Sequence, residues 1–315
     1  MPRDRERTVS PSSPDVGTAS TILAERTPAL RVRCWGTRGS LPSPGADTVR
    51  YGGNTSCVEM TGPAGEHLIF DAGSGIRPLG EALARVSPDL NADLFLTHFH
   101  WDHVQGLPFF APIYSESSTI WIHGAVQGDL DLPTLVAGTM GPVYFPVPFE
   151  AVAAQVQFGE VTGATVERGG LSITSHRLRH PTNTYGYRVD SGTGSVSYLP
   201  DNELTGGVYD VPAGWYRSLC RFLEGTDVLF HDAMFTDAEY PRYEGWGHSS
   251  ISQAIQLAED AGVRRLCLFH HSPGRTDAEL TRLVADARDD LARRGSLLTL
   301  DVATEGEELV VEGTL

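Results

Sequence analysis

A dense group of metal-type ligands directly after an apolar run is the feature that most constrains this chain. The run Leu94-Phe95-Leu96-Thr97 leads into His98-Phe99-His100-Trp101-Asp102-His103, so three imidazoles and one carboxylate fall within six residues. Neutral imidazole and carboxylate are ligands that zinc and related divalent ions prefer. A short apolar run bounded by polar residues is typical of a buried strand. The sequence therefore predicts a metal site at the end of a strand.

The spacing within this motif indicates two ions. His98 and His100 are two residues apart, so in an extended segment their side chains point the same way and can bind one ion. Asp102 and His103 follow in the next turn and can reach a second ion about 3.5–4 Å away, the separation found in two-metal hydrolases. We therefore expect two divalent ions as cofactors, with zinc as the first expectation and manganese or iron as alternatives.

Composition limits the remaining chemistry. The chain has 315 residues, 40% of them hydrophobic, which is enough for a sizeable core. Its formal net charge of -16 argues against broad nonspecific nucleic-acid binding, which needs a cationic surface. All 24 basic residues are arginines, so chemistry that needs a lysine amine, such as Schiff-base or Walker-type phosphate chemistry, is excluded.

Cysteine usage and hydropathy bear on the compartment. The four cysteines, Cys34, Cys57, Cys220 and Cys267, form no CxxC pair and lie mostly in apolar surroundings. Reduced core thiols are therefore expected, which fits a cytoplasmic protein. No early basic segment precedes an apolar run of signal-peptide length, and no apolar run approaches a membrane span. We expect no membrane partner.

The chain divides into a polar tail and one folded region. Residues 1–29 are rich in Ser, Thr, Pro and charge and are predicted to be a disordered tail, and residues 30–315 to be one hydrolase domain. Early and late sets of strands, each interleaved with helices, predict an α/β fold with sheets covered by helices. The segment Asp129 to Glu150 is predicted to be a long loop near the site, and residues 297–311 a final strand pair.

Five patches occur in a characteristic order. They are Ile69 to Gly75, Thr97 to His103, His180 with the strand Tyr185 to Val189, Ser197 to Asp201, and Leu268 to Pro273. With these patches the chain resembles the metallo-β-lactamase superfamily, and within it the phosphodiesterase-like branch that includes tRNase Z. The resemblance covers about residues 30–312. It implies a four-layer αβ/βα sandwich with two mixed sheets.

The resemblance also implies a ligand set. His98, His100 and His180 would hold one metal, Asp102, His103 and His270 would hold the other, and Asp201 would bridge them beside a hydroxide. The residues alone leave alternatives open: His176 competes with His180, and the adjacent His271 competes with His270. Asp201 could instead be a turn residue together with Asn202.

The residues expected to be catalytic are Asp102, His248 and Asp71. Asp71 is expected to support the site from behind the ligands, although a carboxylate at a helix start is the structural alternative. His248 lies in a Gly-His-Ser patch like one whose histidine, in the tRNase Z-like branch, is thought to protonate the leaving group. Asp232 stands where that branch has a glutamate, and a capping or core role for His248 stays open. For substrate binding we name Arg38 and Asn54, which lie in polar loops; Arg38 could equally be an ordinary surface arginine.

These observations favour a metal-dependent hydrolase, most of all a phosphodiesterase acting on a small phosphodiester or cyclic nucleotide through a metal-bound hydroxide. A thioester or lactone hydrolase of the same fold is the alternative. A redox or noncatalytic metal protein is a further one. tRNA itself is disfavoured because the chain lacks a separate basic arm and carries net negative charge. The resemblance leaves a homodimer open.

Overall fold

The computed structural model of this protein describes residues 30–163 and 165–312. The tail predicted for residues 1–29 lies outside the described residues. The strands are β1 (Leu30–Gly36), β2 (Cys57–Thr61), β3 (His67–Phe70), β4 (Asn91–Phe95), β5 (Thr119–Gly124), β6 (Gln155–Glu160), β7 (Val166–Arg168), β8 (Leu171–Arg177), β9 (Tyr185–Asp190), β10 (Ser195–Leu199), β11 (Val228–Asp232), β12 (Arg265–Phe269), β13 (Thr299–Val302) and β14 (Glu308–Val311). The helices are α1 (Ile76–Val86), α2 (Trp101–Val104), α3 (Leu132–Thr139), α4 (Trp215–Leu223), α5 (Ile251–Asp260) and α6 (Asp277–Arg294).

The strands form two seven-stranded mixed sheets. The first has the order β14-β1-β2-β3-β4-β5-β6 and the second the order β13-β12-β11-β10-β9-β8-β7. In the first sheet the strands from β3 to β6 are parallel neighbours, and in the second those from β10 to β13 are. Their carboxyl ends carry the loops in which α/β folds place ligand-binding residues.

A central core lies between the two sheets. Phe70 of β3 packs against Tyr187 of β9 and Tyr198 of β10, with ring centroids 5.6 Å and 5.8 Å apart. On the outer face of the first sheet, α1 buries Leu79 and Leu83 against Ile69. On the outer face of the second sheet, α4, α5 and α6 bury a separate cluster. The layer order is helix, sheet, sheet, helix, which confirms the predicted four-layer sandwich.

Local signals fix where the late helices begin. Ser250 and Thr276 each accept a hydrogen bond from the backbone N–H three residues on, and Gln253 and Glu279 bond back to the cap. Both sites follow the capping-box pattern of Ser or Thr with Gln or Glu three residues later, which satisfies two otherwise unpaired N–H groups at a helix start. The long helix α6 then ends at Gly295, which adopts a left-handed φ of 68°.

The prediction that residues 297–311 form a strand pair is wrong. Both strands exist, but β13 pairs with β12 in the second sheet, whereas β14 pairs with β1 in the first. Alternation of apolar and polar residues predicts a strand but carries no information about its partner. The chain therefore crosses between the sheets at residues 303–307, and its last described strand pairs with its first.

The segment Asp129 to Glu150 is only partly the predicted loop. It contains α3, whose cap Asp131 accepts a hydrogen bond of 3.0 Å from the Thr134 N–H. Beyond α3 the chain runs back toward the metal motif, where the Tyr144 ring meets the Trp101 ring at 5.6 Å. The expected position near the site is therefore correct for this part.

No helix within residues 30–163 and 165–312 has both the length and the apolar character needed to cross a bilayer.

Candidate metal centre

The predicted ligands converge from four separate strand ends. The motif residues follow β4, His180 follows β8, Asp201 follows β10 and His270 follows β12. Most of their side chains are almost fully buried; His100 is the exception and is partly exposed. A rigid sheet end fixes each of these side chains in position, which suits a metal site.

One group of ligand atoms comes from His98, His100, His180 and Asp201, and all of these atoms lie within 4.8 Å of one another. The Nε2 of His180 is 3.0 Å from the Nδ1 of His100. The Oδ2 of Asp201 is 3.7 Å from the Nε2 of both His98 and His180. Three imidazoles and a carboxylate in this space could hold one divalent ion.

A second group comes from Asp102, His103 and His270. The Oδ2 of Asp102 is 3.1 Å from the Nε2 of His270 and 3.3 Å from that of His103. The Oδ1 of Asp201 approaches the same two nitrogens, at 3.0 Å for His103 and 3.3 Å for His270. Asp201 therefore turns one oxygen toward each group.

Buried polar atoms without hydrogen-bond partners fit a cation at this place. Among the described residues they include the Nε2 atoms of His98 and His103 and the Oδ1 of Asp201. A buried polar atom left unpaired costs about 1–3 kcal/mol. Several such atoms converging from different strands would be costly in a purely structural core. The donor set of imidazole nitrogens and carboxylate oxygens matches divalent metals.

Asp71 orients the second group from behind. Its fully buried carboxylate accepts a hydrogen bond of 2.8 Å from the Nδ1 of His103, and further bonds from Thr97 and the Tyr198 hydroxyl. Because Nδ1 donates to Asp71, Nε2 is the nitrogen of His103 that faces Asp102 and Asp201, which is the orientation that a metal ligand needs. Asp71 therefore contacts the Nδ1 side of the His103 ring, whereas Asp102 and Asp201 lie near Nε2.

Two imidazoles of the first group are also oriented through Nδ1. The Nδ1 of His98 lies 3.0 Å from the Thr97 hydroxyl. The Nδ1 of His180 lies 3.0 Å from the Gly247 carbonyl oxygen, which accepts its hydrogen bond. In both cases Nε2 is the atom left facing the group.

Burial and neighbouring charge set the protonation of these side chains. Burial lowers the pKa of His98 and lowers that of His180 to about 3, so both are neutral at pH 7, as a ligand must be. Burial by itself would raise the pKa of Asp201, but His103 and His270 outweigh it and hold that pKa well below the usual range. The pKa of Asp102 is lowered in the same way by His103 and His270.

His248 lies against both groups and has its own carboxylate partner. Its Nδ1 donates to Asp232 Oδ2 at 2.8 Å, and its ring stacks on His270 with centroids 4.9 Å apart. Burial would lower its pKa, but Asp232 raises it to about 9. The shorter carboxylate at position 232 therefore still reaches the imidazole. His248, Asp201 and His270 could alternatively hold a single ion.

The structure separates the competing histidines. His176 lies away from the cluster, between the Arg177 carbonyl oxygen and the Ser218 hydroxyl. His271 points to the Ala303 carbonyl oxygen at 3.0 Å. His180 and His270 are the members of these pairs that join the cluster.

Arg38 and Asn54, named as substrate contacts, do not present free polar groups to the cluster. The Arg38 guanidinium is fully buried and donates to the carbonyl oxygens of Gly52, Ser272 and Arg275. Asn54 is bonded to Glu305 and to the Ser74 hydroxyl. This geometry favours structural roles. The polar groups of Arg38 and Asn54 that could contact a substrate are already bonded to neighbouring loops.

Two supporting contacts were missed from the sequence. The Ser40 N–H donates to Asp102 Oδ2 at 2.7 Å, from a residue with a left-handed φ of 61°. Glu203 is buried and accepts hydrogen bonds from the Tyr240 hydroxyl and the N–H groups of Gly245 and Gly247. The sequence did offer a signal for Glu203, because it is a charged residue two positions after Asp201, beyond the end of a buried strand.

Two mixed sheets covered by helices, with a histidine–aspartate cluster at their strand ends, define the metallo-β-lactamase class of fold. A family model described as a beta-lactamase superfamily domain matches residues 67–271. The chain belongs to this superfamily. The predicted family and the coarse assignment as a metal-dependent hydrolase are thereby confirmed.

Individual relatives agree with this assignment. Ribonuclease Z of Exiguobacterium sibiricum is 26% identical over 247 residues, which is 65% of this chain and 78% of that protein. The short form of human tRNase Z superposes with a TM-score of 0.60 at 20% identity, covering 89% of this chain and 98% of the other. Unliganded yeast PDE1 superposes with a TM-score of 0.66 at 14% identity, covering 90% and 100%.

Proposed function

We propose that this chain is a dinuclear metal-dependent phosphodiesterase that acts on a small phosphodiester, with cyclic nucleotides among the candidates. The observation that carries the proposal is the position of Asp201, whose two carboxylate oxygens face two separate groups of ligands. Two adjacent ions clamp the attacking and leaving oxygens of an in-line displacement, which suits phosphoryl transfer.

His98, His100 and His180 would hold one ion, Asp102, His103 and His270 the other, and Asp201 both. When bound, these ions would supply Lewis acidity and an activated water at neutral pH. Zinc is the first expectation, because the donor set is rich in imidazole.

The chain's own residues supply proton transfer and orientation. His248 would protonate the leaving oxygen, since Asp232 fixes its Nδ1 at 2.8 Å and leaves Nε2 as the proton donor. Asp71 keeps His103 in its ligand tautomer. Glu203 accepts a hydrogen bond from the backbone N–H of Gly247 and thereby positions the segment that carries His248.

Phosphodiester chemistry is supported by the relative named ribonuclease Z. A small substrate is supported by the net charge of -16, since binding a polyanion over many phosphates needs many exposed cations. The earlier assignment of residues 30–315 to one hydrolase domain stands as part of this proposal.

The test is hydrolysis of bis(p-nitrophenyl) phosphate by chelator-treated protein with zinc or manganese restored. Metal-restored turnover that is lost in His180→Ala and Asp102→Ala, but kept in His176→Ala, is the expected result. His176 is the matched control, because it is a partly buried histidine of the same strand end that stays outside the cluster. Thioester or lactone hydrolysis without phosphodiester turnover would overturn the proposal in favour of acyl chemistry.

Two leaving groups test the role of His248. p-Nitrophenolate departs without protonation, whereas an alkoxide does not. We expect His248→Ala to slow cleavage of an alkyl phosphodiester by about 10²–10⁴-fold and to affect the p-nitrophenyl ester far less. Equal losses on both substrates would assign His248 to metal binding instead.

A further inference from the structure

Exposed aromatic side chains occur directly beside the buried cluster. Trp101 is 57% exposed although it lies between His100 and Asp102 in the chain, and Trp246 is 62% exposed one residue before Gly247. Isolated exposed apolar residues need no explanation, but two exposed indoles next in sequence to residues of one cluster are a candidate ligand-contact surface.

Each tryptophan is the sequence neighbour of a residue that contacts His180. His100 contacts His180 Nε2 at 3.0 Å, and the Gly247 carbonyl oxygen contacts His180 Nδ1 at 3.0 Å. Trp101 directly follows the first of these residues and Trp246 directly precedes the second. The backbone of each tryptophan is therefore tied to the histidine–aspartate cluster through a neighbouring residue.

Neither indole is stacked face to face on its neighbouring ring. Trp101 meets Tyr144 at an interplanar angle of 69°, and Trp246 meets Tyr243 at 79°. By contrast, Tyr243 itself is stacked on Phe235 at 4° with centroids 4.5 Å apart. Tyr243 is thus held in a stack, whereas each indole is unstacked and more than half exposed, which leaves ring surface that a flat ring could contact.

We propose that Trp101 and Trp246 are stacking platforms for nucleobases, and that the substrate is a nucleoside phosphodiester. This inference rests on the proposed function and specifies its substrate class. A base presents a flat aromatic face next to its phosphate, and stacking on an aromatic side chain tolerates any of the bases. Free nucleotide diesters and short RNA share this chemistry, and the experiment separates them.

The experiment compares two substrates with the same leaving group. Thymidine 5′-(p-nitrophenyl phosphate) carries a base and methyl p-nitrophenyl phosphate does not, so any stacking of the nitrophenyl ring cancels in their ratio. We expect wild type to prefer the thymidine ester in kcat/KM. Trp246→Ala and Trp101→Ala should each lower this preference by roughly tenfold, as the loss of one base–aromatic stack implies. Trp246→Phe should restore most of it.

Leu297→Ala is the matched control. Leu297 is 97% exposed and precedes β13, at the end of the second sheet away from the ligand-bearing strand ends. The base preference should be unchanged in this variant. A preference equally unchanged in both tryptophan variants, with turnover intact, would overturn the stacking inference and leave the phosphodiesterase proposal standing.

Equilibrium binding provides a readout that needs no turnover. Metal-free protein should bind adenosine 5′-monophosphate more tightly than ribose 5-phosphate, with quenching of indole fluorescence that weakens in Trp246→Phe. Equal binding of the two would overturn the inference even if neither ester were hydrolysed.

A short oligoribonucleotide that competes more strongly at low salt would identify RNA as the source of the base, whereas salt-independent competition by mononucleotides would identify free nucleotides. Loss of a dimer in the tryptophan variants without any change in base preference would assign the patch to self-association and overturn the inference.

Discussion

Replacing Asp71 by Asn tests how strongly the hydrogen bond between Asp71 and the ligand His103 affects metal affinity. One oxygen of Asp71 accepts the Thr97 N–H at 2.8 Å, and the other accepts His103 Nδ1 at 2.8 Å and the Tyr198 hydroxyl at 2.9 Å. Asn is nearly the same size and tolerates the left-handed φ of 62° at this position. The change therefore removes the charge and one acceptor with little backbone strain.

The amide has no orientation that satisfies all of these donors. If its oxygen stays with Thr97, its NH₂ faces His103 Nδ1, which must then give up its proton to Nε2 and lose its ligand lone pair. If the amide is reversed, NH₂ meets the Thr97 N–H in a buried site. Losing such a supporting acceptor typically costs 10–100-fold in metal affinity, which is about 1.4–2.7 kcal/mol.

Zinc affinity measured by competition with a chromophoric chelator is the assay. We expect Asp71→Asn to weaken one of two zinc equivalents by 10–100-fold and to leave the other much less affected. Asp227→Asn is the matched control, because Asp227 is also buried and hydrogen-bonded to Ser195. It lies directly before β11, opposite the ligand-bearing strand ends. Wild-type affinity for both equivalents in Asp71→Asn would refute the reasoning about tautomers.

Other consequences concern stability and reactivity. Arg38→Met should lower the free energy of unfolding in urea by about 3 kcal/mol, because the buried carbonyl oxygens that Arg38 bridges lose their donor; a change below about 1 kcal/mol would contradict this role. Thr276→Ala should cost about 1 kcal/mol in the same assay through loss of the α6 cap, and no loss would mean that the capping box is dispensable. Cys34, Cys57 and Cys267 should react with a disulfide reagent at pH 8 only after denaturation, because burial raises their thiol pKa, to about 12 for Cys267; rapid native labelling of these three would contradict their burial.

Local sequence signals predicted most of the elements. The capping boxes at Ser250 and Thr276 begin α5 and α6, and Gly295 ends α6. These features depend on residues a few positions apart, so they are visible in the sequence. The metal motif is likewise contiguous. Its partners were named through the resemblance to the metallo-β-lactamase superfamily, and each of them follows an apolar run.

Long-range choices could not be predicted in the same way. The role of Arg38 depends on carbonyl oxygens of Ser272 and Arg275, more than 230 positions away in the chain. The choice between His270 and His271 depends on backbone geometry, since His270 adopts a left-handed φ of 56° that no residue pattern announces. The strand partners and the hydrogen bonds of Glu203 could not be predicted either, because both depend on tertiary contacts.

The central claim is that two ions bind on either side of Asp201. Anomalous diffraction from crystals of the zinc-loaded protein measures this directly. Two peaks should appear about 3.5–4 Å apart, one among His98, His100 and His180 and the other among Asp102, His103 and His270, with Asp201 between them. A single peak at full zinc occupancy, or peaks that leave Asp201 uncoordinated, would contradict the account.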